Sequence, residues 1–168
     1  TILGFSPNPD AIIASGGRIS TMDGTADEIY RKSLDAGREK NEKLIAKVLS
    51  SGHTSVLEHC FVNLAFENVS VLAEQFLIEF RLASFTVKSR RYVDFSRAGC
   101  VCPDFPGDAQ KALFDETVRK LFSVYDALEA AGVPKEDARF VLPYCFCSNF
   151  FCSMNARELV HVMNELVY

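Results

Sequence analysis

Helical periodicity over most of the chain, broken by two short runs of β character, limits the possible folds more than any other feature. Apolar residues recur at helical spacing in segments separated by glycine, proline and polar stretches. The helices are predicted at 11–15, 25–49, 71–80, 109–131 and 156–168, with a restart after Pro134. Ser55-x-x-Glu58 could cap a further short helix. Strands are predicted at Phe61–Phe66 and Phe146–Met154, and Tyr92–Phe95 is predicted to be extended. Many helices with few strands predict an α+β fold.

The ends of these helices are predicted from residues that cap or break helices. Gly16-Gly17 is expected to end the first helix, and Thr25-x-x-Glu28 is a candidate capping box for the second. Gly132 is expected to stop the long helix, and Asn155 can cap the last one. That last helix reaches Tyr168 with no C-cap, so we expect that more chain follows.

Length and composition exclude several classes of protein. The 168 residues fit one domain, and 48% hydrophobic with 24% charged residues is typical of a globular protein. A net charge of −4, from 18 basic and 22 acidic residues, argues against sequence-independent nucleic-acid binding. The sequence contains no run of about 18 uncharged apolar residues, so no membrane span is predicted. Because no basic-then-apolar signal pattern is present, we expect a cytoplasmic location and reduced thiols.

Six cysteines leave two interpretations open. Cys100-x-Cys102 and Cys145-x-Cys147 could supply zinc ligands, but structural zinc sites usually separate paired cysteines by two to four residues. Cys145, Cys147 and Cys152 lie among phenylalanines, where cysteine behaves as a small hydrophobic residue. We therefore expect core cysteines and no metal site.

The segment Arg81–Tyr92 is the densest in functional groups, with four cations and three serine or threonine hydroxyls. Guanidinium groups together with hydroxyls suit phosphate oxygens, so this segment is a candidate anion site. On a helix, Arg81, Ser84, Lys88 and Arg91 would share one face. The alternative is a solvated helix end.

Three further segments contain residues that could bind a ligand or take part in catalysis. Gly52–His59 contains two histidines and Glu58, but the histidines are six residues apart, unlike the spacing of zinc ligands in metalloproteases. For His59, a structural role is the alternative to a catalytic one. Arg139 lies in an apolar run and should have an anionic partner, because burying it unpaired costs several kcal/mol. Asn155-Ala156-Arg157 lies at a helix start, which attracts anions; the alternative is an N-cap with a surface pair from Arg157 to Glu165 or His161.

Four motifs in order resemble the flavin-dependent thymidylate synthase family, also called the thymidylate synthase complementing protein family. They are Gly-His-x-Ser-x-x-Glu-His, Arg-x7-Ser-x-Arg-Tyr, Ala-Arg-x-Val-Leu-Pro and Asn-Ala-Arg-x-Leu. The resemblance covers nearly the whole chain and implies one domain with a small antiparallel sheet packed with helices. It also implies a homotetramer with flavin sites between subunits. The reaction implied is methylation of dUMP to dTMP, in which methylenetetrahydrofolate supplies the carbon, NADPH reduces FAD and the flavin supplies the hydride.

The resemblance also assigns roles by position. Ser55, Arg81, Asn155, Arg157 and His161 fall on flavin-contacting places of the family. Ser89, Arg91 and Arg139 fall on nucleotide-contacting places, with Arg139 reaching the site of a neighbouring subunit. No cysteine nucleophile is used in the family.

The same resemblance implies a degenerate active site. Glu79 and Phe80 stand where the family pattern has Arg-His, and other family polar positions are also replaced. These replacements are Phe76 for Gln, Thr86-Val87 for Asn-Glu and Leu166 for the pyrimidine-holding Arg. The family's C-terminal helices are not part of the sequence. We therefore expect an enzyme of this family with impaired chemistry, or else an inactive structural or regulatory homologue or one half of a tandem protein.

Overall fold

A computed structural model describes residues 1–167 and has seven α-helices and four β-strands in that part of the chain. The strands are β1 Ile2–Phe5, β2 Phe61–Ser70, β3 Ala83–Val87 and β4 Cys147–Asn155. The helices are α1 Pro9–Ile19, α2 Ala26–Ala36, α3 Arg38–Ser50, α4 Val71–Leu77, α5 Asp108–Ala130, α6 Lys135–Ala138 and α7 Ala156–Val167. Short 3-10 helices span Thr54–His59 and Arg139–Val141.

The strands form one four-stranded antiparallel sheet in the order β1-β2-β4-β3. β1 pairs with β2 in the register Gly4 opposite Asn63 and Phe5 opposite Val62. Along the first half of β2, exposed and half-buried residues alternate, as expected for a strand with one face on a core. The α+β prediction is thus confirmed, and no helix of residues 1–167 is long and apolar enough to cross a membrane.

By contacts the chain divides into two compact units. The first contains Thr1–Ala65, Phe80–Ser84 and the segment that begins at Cys152; the second contains Phe66–Glu79 and Phe85–Phe151. The core of the first unit is centred on Ile13, Val56 and Cys60.

The capping prediction for α2 is confirmed in full. The Thr25 hydroxyl accepts a hydrogen bond from the Glu28 backbone, and the Glu28 carboxylate accepts one from the Thr25 backbone at 2.8 Å. The predicted single helix over 25–49 is wrong, however, because Gly37 adopts a φ of 77° and separates α2 from α3. A positive φ is available to glycine at little cost, so the chain turns there.

The predicted break at Gly16-Gly17 is also wrong, since α1 continues to Ile19. A Cβ atom on Gly16 would lie 2.9 Å from Cδ2 of His59, and one on Gly17 would lie 3.2 Å from Cγ2 of Val48. The two glycines therefore allow close packing of α1 against its neighbours.

A polar network joins the three N-terminal helices of the first unit. Nη1 of Arg18 donates to Oγ of Ser33 at 2.7 Å and to Oδ1 of Asn41 at 2.8 Å. Nδ2 of Asn41 donates to Asp10 at 2.9 Å and to the Ser33 carbonyl at 2.8 Å. Because Ser33 and Asn41 are fully buried, these bonds satisfy groups that would otherwise be costly to bury.

The second unit has its own core, centred on Val71, Phe95 and Phe146. The long helix α5 ends where predicted, with Gly132 at a φ of 86°, and α6 follows Pro134 as predicted. The Phe95 and Phe146 rings meet edge to face with centroids 5.3 Å apart. Tyr92–Phe95, predicted to be extended, forms a turn followed by irregular backbone.

Candidate functional site

In the first unit, the 3-10 helix Thr54–His59 packs against the start of α7 and brings two of the four motifs together. The Ala156 backbone donates to the Cys60 carbonyl at 2.8 Å, and Nη1 of Arg157 contacts Oε1 of Glu58 at 2.5 Å. Both alternative partners predicted for Arg157, Glu165 and His161, are therefore wrong.

Asn155 caps the start of α7, as the sequence predicts. Its Oδ1 accepts a hydrogen bond from the Glu158 backbone at 2.8 Å, and the residue is buried. The side chain therefore satisfies one of the amide groups that the first turn of a helix leaves without a partner. The last residue predicted for this helix, Tyr168, lies outside the described residues.

Phe80 and His161 form a second contact in the first unit. Their rings meet edge to face with centroids 5.4 Å apart, and Nδ1 of His161 lies 3.9 Å from Oε1 of Glu165. Arg81 follows Phe80 in the chain and is exposed, as is Ser55 in the 3-10 helix. Ser55, Arg157 and His161 thus lie on two elements that pack together, with Phe80 against the second.

A cavity of about 450 Å³ opens beside this region and is lined by α1, α2 and the end of the 3-10 helix. Its polar wall includes Glu58 and His59, and Gly16 forms part of its floor against the His59 ring. Ser55 was predicted to cap the 3-10 helix, but the N-cap residue is His53 and no side chain caps that end. His59 is exposed and its ring lies against Gly16, and the structural role given as the alternative to catalysis stays a prediction.

The cationic segment of residues 81–92 differs from its helical prediction. Ala83–Val87 is the strand β3, so Arg81, Ser84, Lys88 and Arg91 do not share a helix face. After the strand the chain turns, and the Ser89 hydroxyl accepts a weak hydrogen bond from the Arg91 backbone at 3.3 Å. The Arg91 guanidinium lies over the Tyr92 ring at 5.6 Å.

A cavity of about 340 Å³ in the second unit collects polar groups from separate elements. Gln75 of α4, Arg90, Arg139 and Tyr144 line it together with apolar residues. Nε of Arg139 donates to the Glu136 carbonyl at 2.8 Å, and residues 1–167 supply no carboxylate to pair with this arginine. The anionic partner expected for Arg139 is therefore not provided by the described chain.

The sequence analysis missed the ion pair that supports this cavity. Arg90 donates to the carboxylate of Glu74, whose side chain is 0% exposed, while Arg90 itself is 18% exposed. The Arg90 guanidinium also lies over the Phe146 ring at 5.6 Å. The sequence signal for this pair is the position of Glu74. It lies three residues from both Val71 and Leu77, and so shares the buried face of α4 with two apolar residues.

The cysteines divide by environment. Cys60 and Cys152 are buried as predicted, whereas Cys102 is exposed and Cys100, Cys145 and Cys147 are half-buried. Burial raises the pKa of the Cys152 thiol to about 11. No group of three or more metal-ligating side chains occurs within residues 1–167, and all six thiols are free.

Comparisons with known proteins agree with this arrangement. A model of the thymidylate synthase complementing protein family matches residues 1–167. The flavin-dependent thymidylate synthase of Geobacter sulfurreducens is 35% identical over 164 residues, covering 95% of this chain and 69% of that protein. The enzyme of the same name from Nitratidesulfovibrio vulgaris is 33% identical over 176 residues, covering 98% of this chain and 72% of its own length.

A solved structure has the same fold. The UMP/dUMP methylase PolB from Streptomyces cacaoi, bound with 5-Br dUMP, superposes with a TM-score of 0.79 at 24% identity. The match covers 96% of this chain and 74% of that one. Together with the family match over the described residues, this confirms the resemblance found in the four motifs: the chain belongs to the thymidylate synthase complementing protein family.

Proposed function

We propose that the chain takes part in flavin-dependent methylation of dUMP to dTMP, with methylenetetrahydrofolate as the carbon donor and NADPH as the reductant. Membership of the family and the names of the curated relatives support this proposal. By resemblance, Ser89, Arg91 and Arg139 contact the nucleotide.

The observation that carries the proposal is the cation-lined cavity of the second unit. Arg139 and Arg90 line it with Gln75 and Tyr144, and Arg139 has no carboxylate partner among residues 1–167. A guanidinium group offers five donors, of which the Glu136 carbonyl takes one. The remaining donors suit the oxygens of a nucleoside monophosphate.

A direct binding measurement tests this step. Titration calorimetry with dUMP should show that Arg139→Ala weakens binding about 10- to 100-fold, the usual loss for a hydrogen bond to a charged group. Arg97→Ala removes an exposed arginine that does not line the cavity and should leave the affinity unchanged. Equal affinities of the wild type and Arg139→Ala would contradict the proposal.

The side chains of the first unit fit the phosphates of FAD. Ser55 and Arg81 are exposed, and Arg157 is half-exposed although it pairs with Glu58. Two guanidinium groups and a hydroxyl suit a diphosphate, and we infer that these residues, with His161 and the start of α7 at Asn155, hold the dinucleotide. The flavin supplies a hydride when it is bound and reduced.

A second candidate function is a homologue that has kept the fold but lost the chemistry, as a structural or regulatory subunit or one half of a tandem protein. The observation that favours it is Phe80, an apolar ring that packs against His161 where family members have a polar side chain. Glu79, which precedes Phe80, reverses the charge that the family has at its position.

The visible absorbance spectrum separates the two candidates. An enzyme should bind FAD in a one-to-one ratio to the chain and oxidise NADPH when dUMP is added. An inactive homologue should retain no flavin absorbance after it is mixed with FAD and unbound FAD is removed by gel filtration, and Glu79→Arg combined with Phe80→His should then increase FAD binding. Glu67→Arg is the control, because it makes the same charge change at an exposed residue of β2.

The resemblance also implies an assembly. We propose that the chain forms a homotetramer, because family sites lie between subunits, and that it is located in the cytoplasm. Light scattering on the purified protein measures the assembly directly. A monomer at micromolar concentration would contradict this part of the proposal.

A further inference from the structure

Three cysteines of the second unit meet where the segment after β3 crosses the start of β4. The Val101 backbone donates to the Cys145 carbonyl at 2.8 Å, and the Cys147 backbone donates to the Gly99 carbonyl at 3.1 Å. Cys100 is thereby paired with Phe146 in an antiparallel bridge. Directly opposite residues of this kind have Cα atoms about 4.5 Å apart. Phe146 is the residue opposite Cys100, and Cys145, which precedes Phe146, is therefore a diagonal neighbour of Cys100.

The local backbone allows the thiols of Cys100 and Cys145 to approach each other. Cys145 belongs to a turn closed by a hydrogen bond from the Phe146 backbone to the Pro143 carbonyl at 3.0 Å. Strand alternation, which would place successive side chains on opposite faces, therefore does not apply at Cys145. The Cys145 thiol accordingly interacts with the thiol of Cys100, which helps to raise its pKa, although burial contributes more.

Cys100 is reached from solvent through a cavity of about 360 Å³. Asp115, Val118 and Arg119 of α5 form the rest of its lining. Lys111, one turn before Asp115, pairs with that carboxylate at 2.6 Å. The cavity lets a small oxidant reach the Cys100 sulfur, whose thiolate is the form that reacts.

We propose that Cys100 and Cys145 are a peroxide-sensitive dithiol that forms a reversible disulfide. The Cys100 thiolate attacks one oxygen of a hydroperoxide, the O–O bond breaks, and Cys100 becomes a sulfenic acid while hydroxide or alkoxide leaves. The Cys145 sulfur then attacks the sulfenic sulfur, its proton leaves with the hydroxyl group as water, and the S–S bond forms. The peroxide accepts two electrons and the two cysteines supply them.

The roles of the two cysteines follow from their surroundings. Cys100 lines the cavity and is the sulfur that a peroxide can reach, whereas burial raises the pKa of Cys145 and favours its thiol form. Cys102 is exposed and donates to the Pro103 carbonyl at 3.4 Å, and Cys147 does not line the cavity. The proposal does not depend on bound flavin or nucleotide.

Peptide mapping tests the pairing on the whole chain. After brief treatment with hydrogen peroxide and alkylation, a linked peptide containing Cys100 and Cys145 should appear, and the count of free thiols should fall from six to four. Dithiothreitol should restore all six. A product in which Cys100 is sulfinic or sulfonic acid without a linked peptide, or is linked to Cys102 or Cys147, would overturn the proposal.

Two variants sharpen the test. Cys145→Ser should abolish the linked peptide and leave Cys100 more than tenfold more open to irreversible oxidation, because its resolving partner is gone. Cys102→Ser is the matched control, since it removes an exposed neighbour of Cys100 and should leave the linked peptide in place. If Cys145→Ser does not fold, the yield of linked peptide from Cys102→Ser decides alone: its loss would refute the pairing.

Discussion

The buried ion pair between Glu74 and Arg90 gives the most quantitative test of the second unit. Oε1 of Glu74 accepts from Arg90 and, at 3.3 Å, from Gln75, while Oε2 is buried without a hydrogen-bond partner in the described chain. Arg90→Met leaves this carboxylate in the core without its cation. We expect the free energy of unfolding to fall by about 3–5 kcal/mol, the usual cost of an uncompensated buried charge.

The same reasoning gives a different result when both charges are removed. A buried pair loses much of its Coulomb energy to desolvation, so Glu74→Met combined with Arg90→Met should be near neutral or stabilising. Since a domain of this kind has a total stability of about 5–15 kcal/mol, the single and double variants are easily distinguished.

Urea denaturation followed by circular dichroism measures both variants. Arg97→Met is the control, because this exposed arginine should change stability by no more than about 0.5 kcal/mol. The cost of Arg90→Met should also depend on pH. Only the ionised Glu74 carboxylate is destabilised by the loss of its cation, so the cost should be smaller in acid, where the carboxyl group is neutral.

Arg90→Met should therefore be closer to the wild type at pH 4.5 than at pH 8. A loss below about 1 kcal/mol at pH 8 would refute the reasoning. A double variant as unstable as the single one would refute it too, because the cost would then come from lost packing and not from an unpaired charge.

Three further predictions concern the first unit. Cys152 is 1% exposed, and burial raises the pKa of its thiol from 9.0 to about 11. The neutral thiol therefore stabilises the folded state fully below pH 9, and this contribution is lost as the pH rises through 11. Relative to Cys152→Ala, the wild type should lose about 2–3 kcal/mol of its free energy of unfolding in urea titrations over that range. Asn41→Ala removes three buried hydrogen bonds, including that from Arg18, and should cost about 2–4 kcal/mol; a cost below 1 kcal/mol would contradict the network. Gly16→Ala should change stability by less than about 1 kcal/mol, since helix propensity gains what the contact with His59 loses, but it should shift the His59 ring resonances in NMR spectra.

Local signals predicted the helix ends well where a side chain bonds to its own turn. The capping box at Thr25 and the cap at Asn155 depend only on residues three positions apart, which any reader of the sequence can see. The stop at Gly132 is equally local. Such interactions need no knowledge of the rest of the fold.

The errors came from residues whose role depends on distant parts of the chain. Gly16 does not end α1, because the space that it leaves is taken by His59, 43 positions later. Ala83–Val87 is a different case: it forms the edge strand beside β4, and its alternation of apolar and polar residues is a local strand signal that the sequence-based prediction did not use. Only at Gly16 does tertiary packing override local propensity.

The candidate sites show the same division. The four motifs carried the family assignment without any structure, since their order is fixed along the chain. The pairing of Arg157 with Glu58 and of Arg90 with Glu74 was missed, because the partners are far apart in sequence and no spacing rule joins them. Motifs identify the candidate site residues, but they do not predict which residue neutralises each charge.

For the flavin site proposed in the first unit, the strength of the existing contacts predicts which of them limits binding. Arg157 and Glu58 are 49% and 40% exposed, and an exposed pair contributes about 0–1 kcal/mol, so a diphosphate can displace Glu58 easily. The ring contact between Phe80 and His161 is of similar strength, but Phe80 offers no donor to a ligand even after it moves. Phe80→His should therefore increase FAD affinity more than Glu58→Gln does. If titration with FAD gives the opposite order, the ion pair and not the lost donor limits this site.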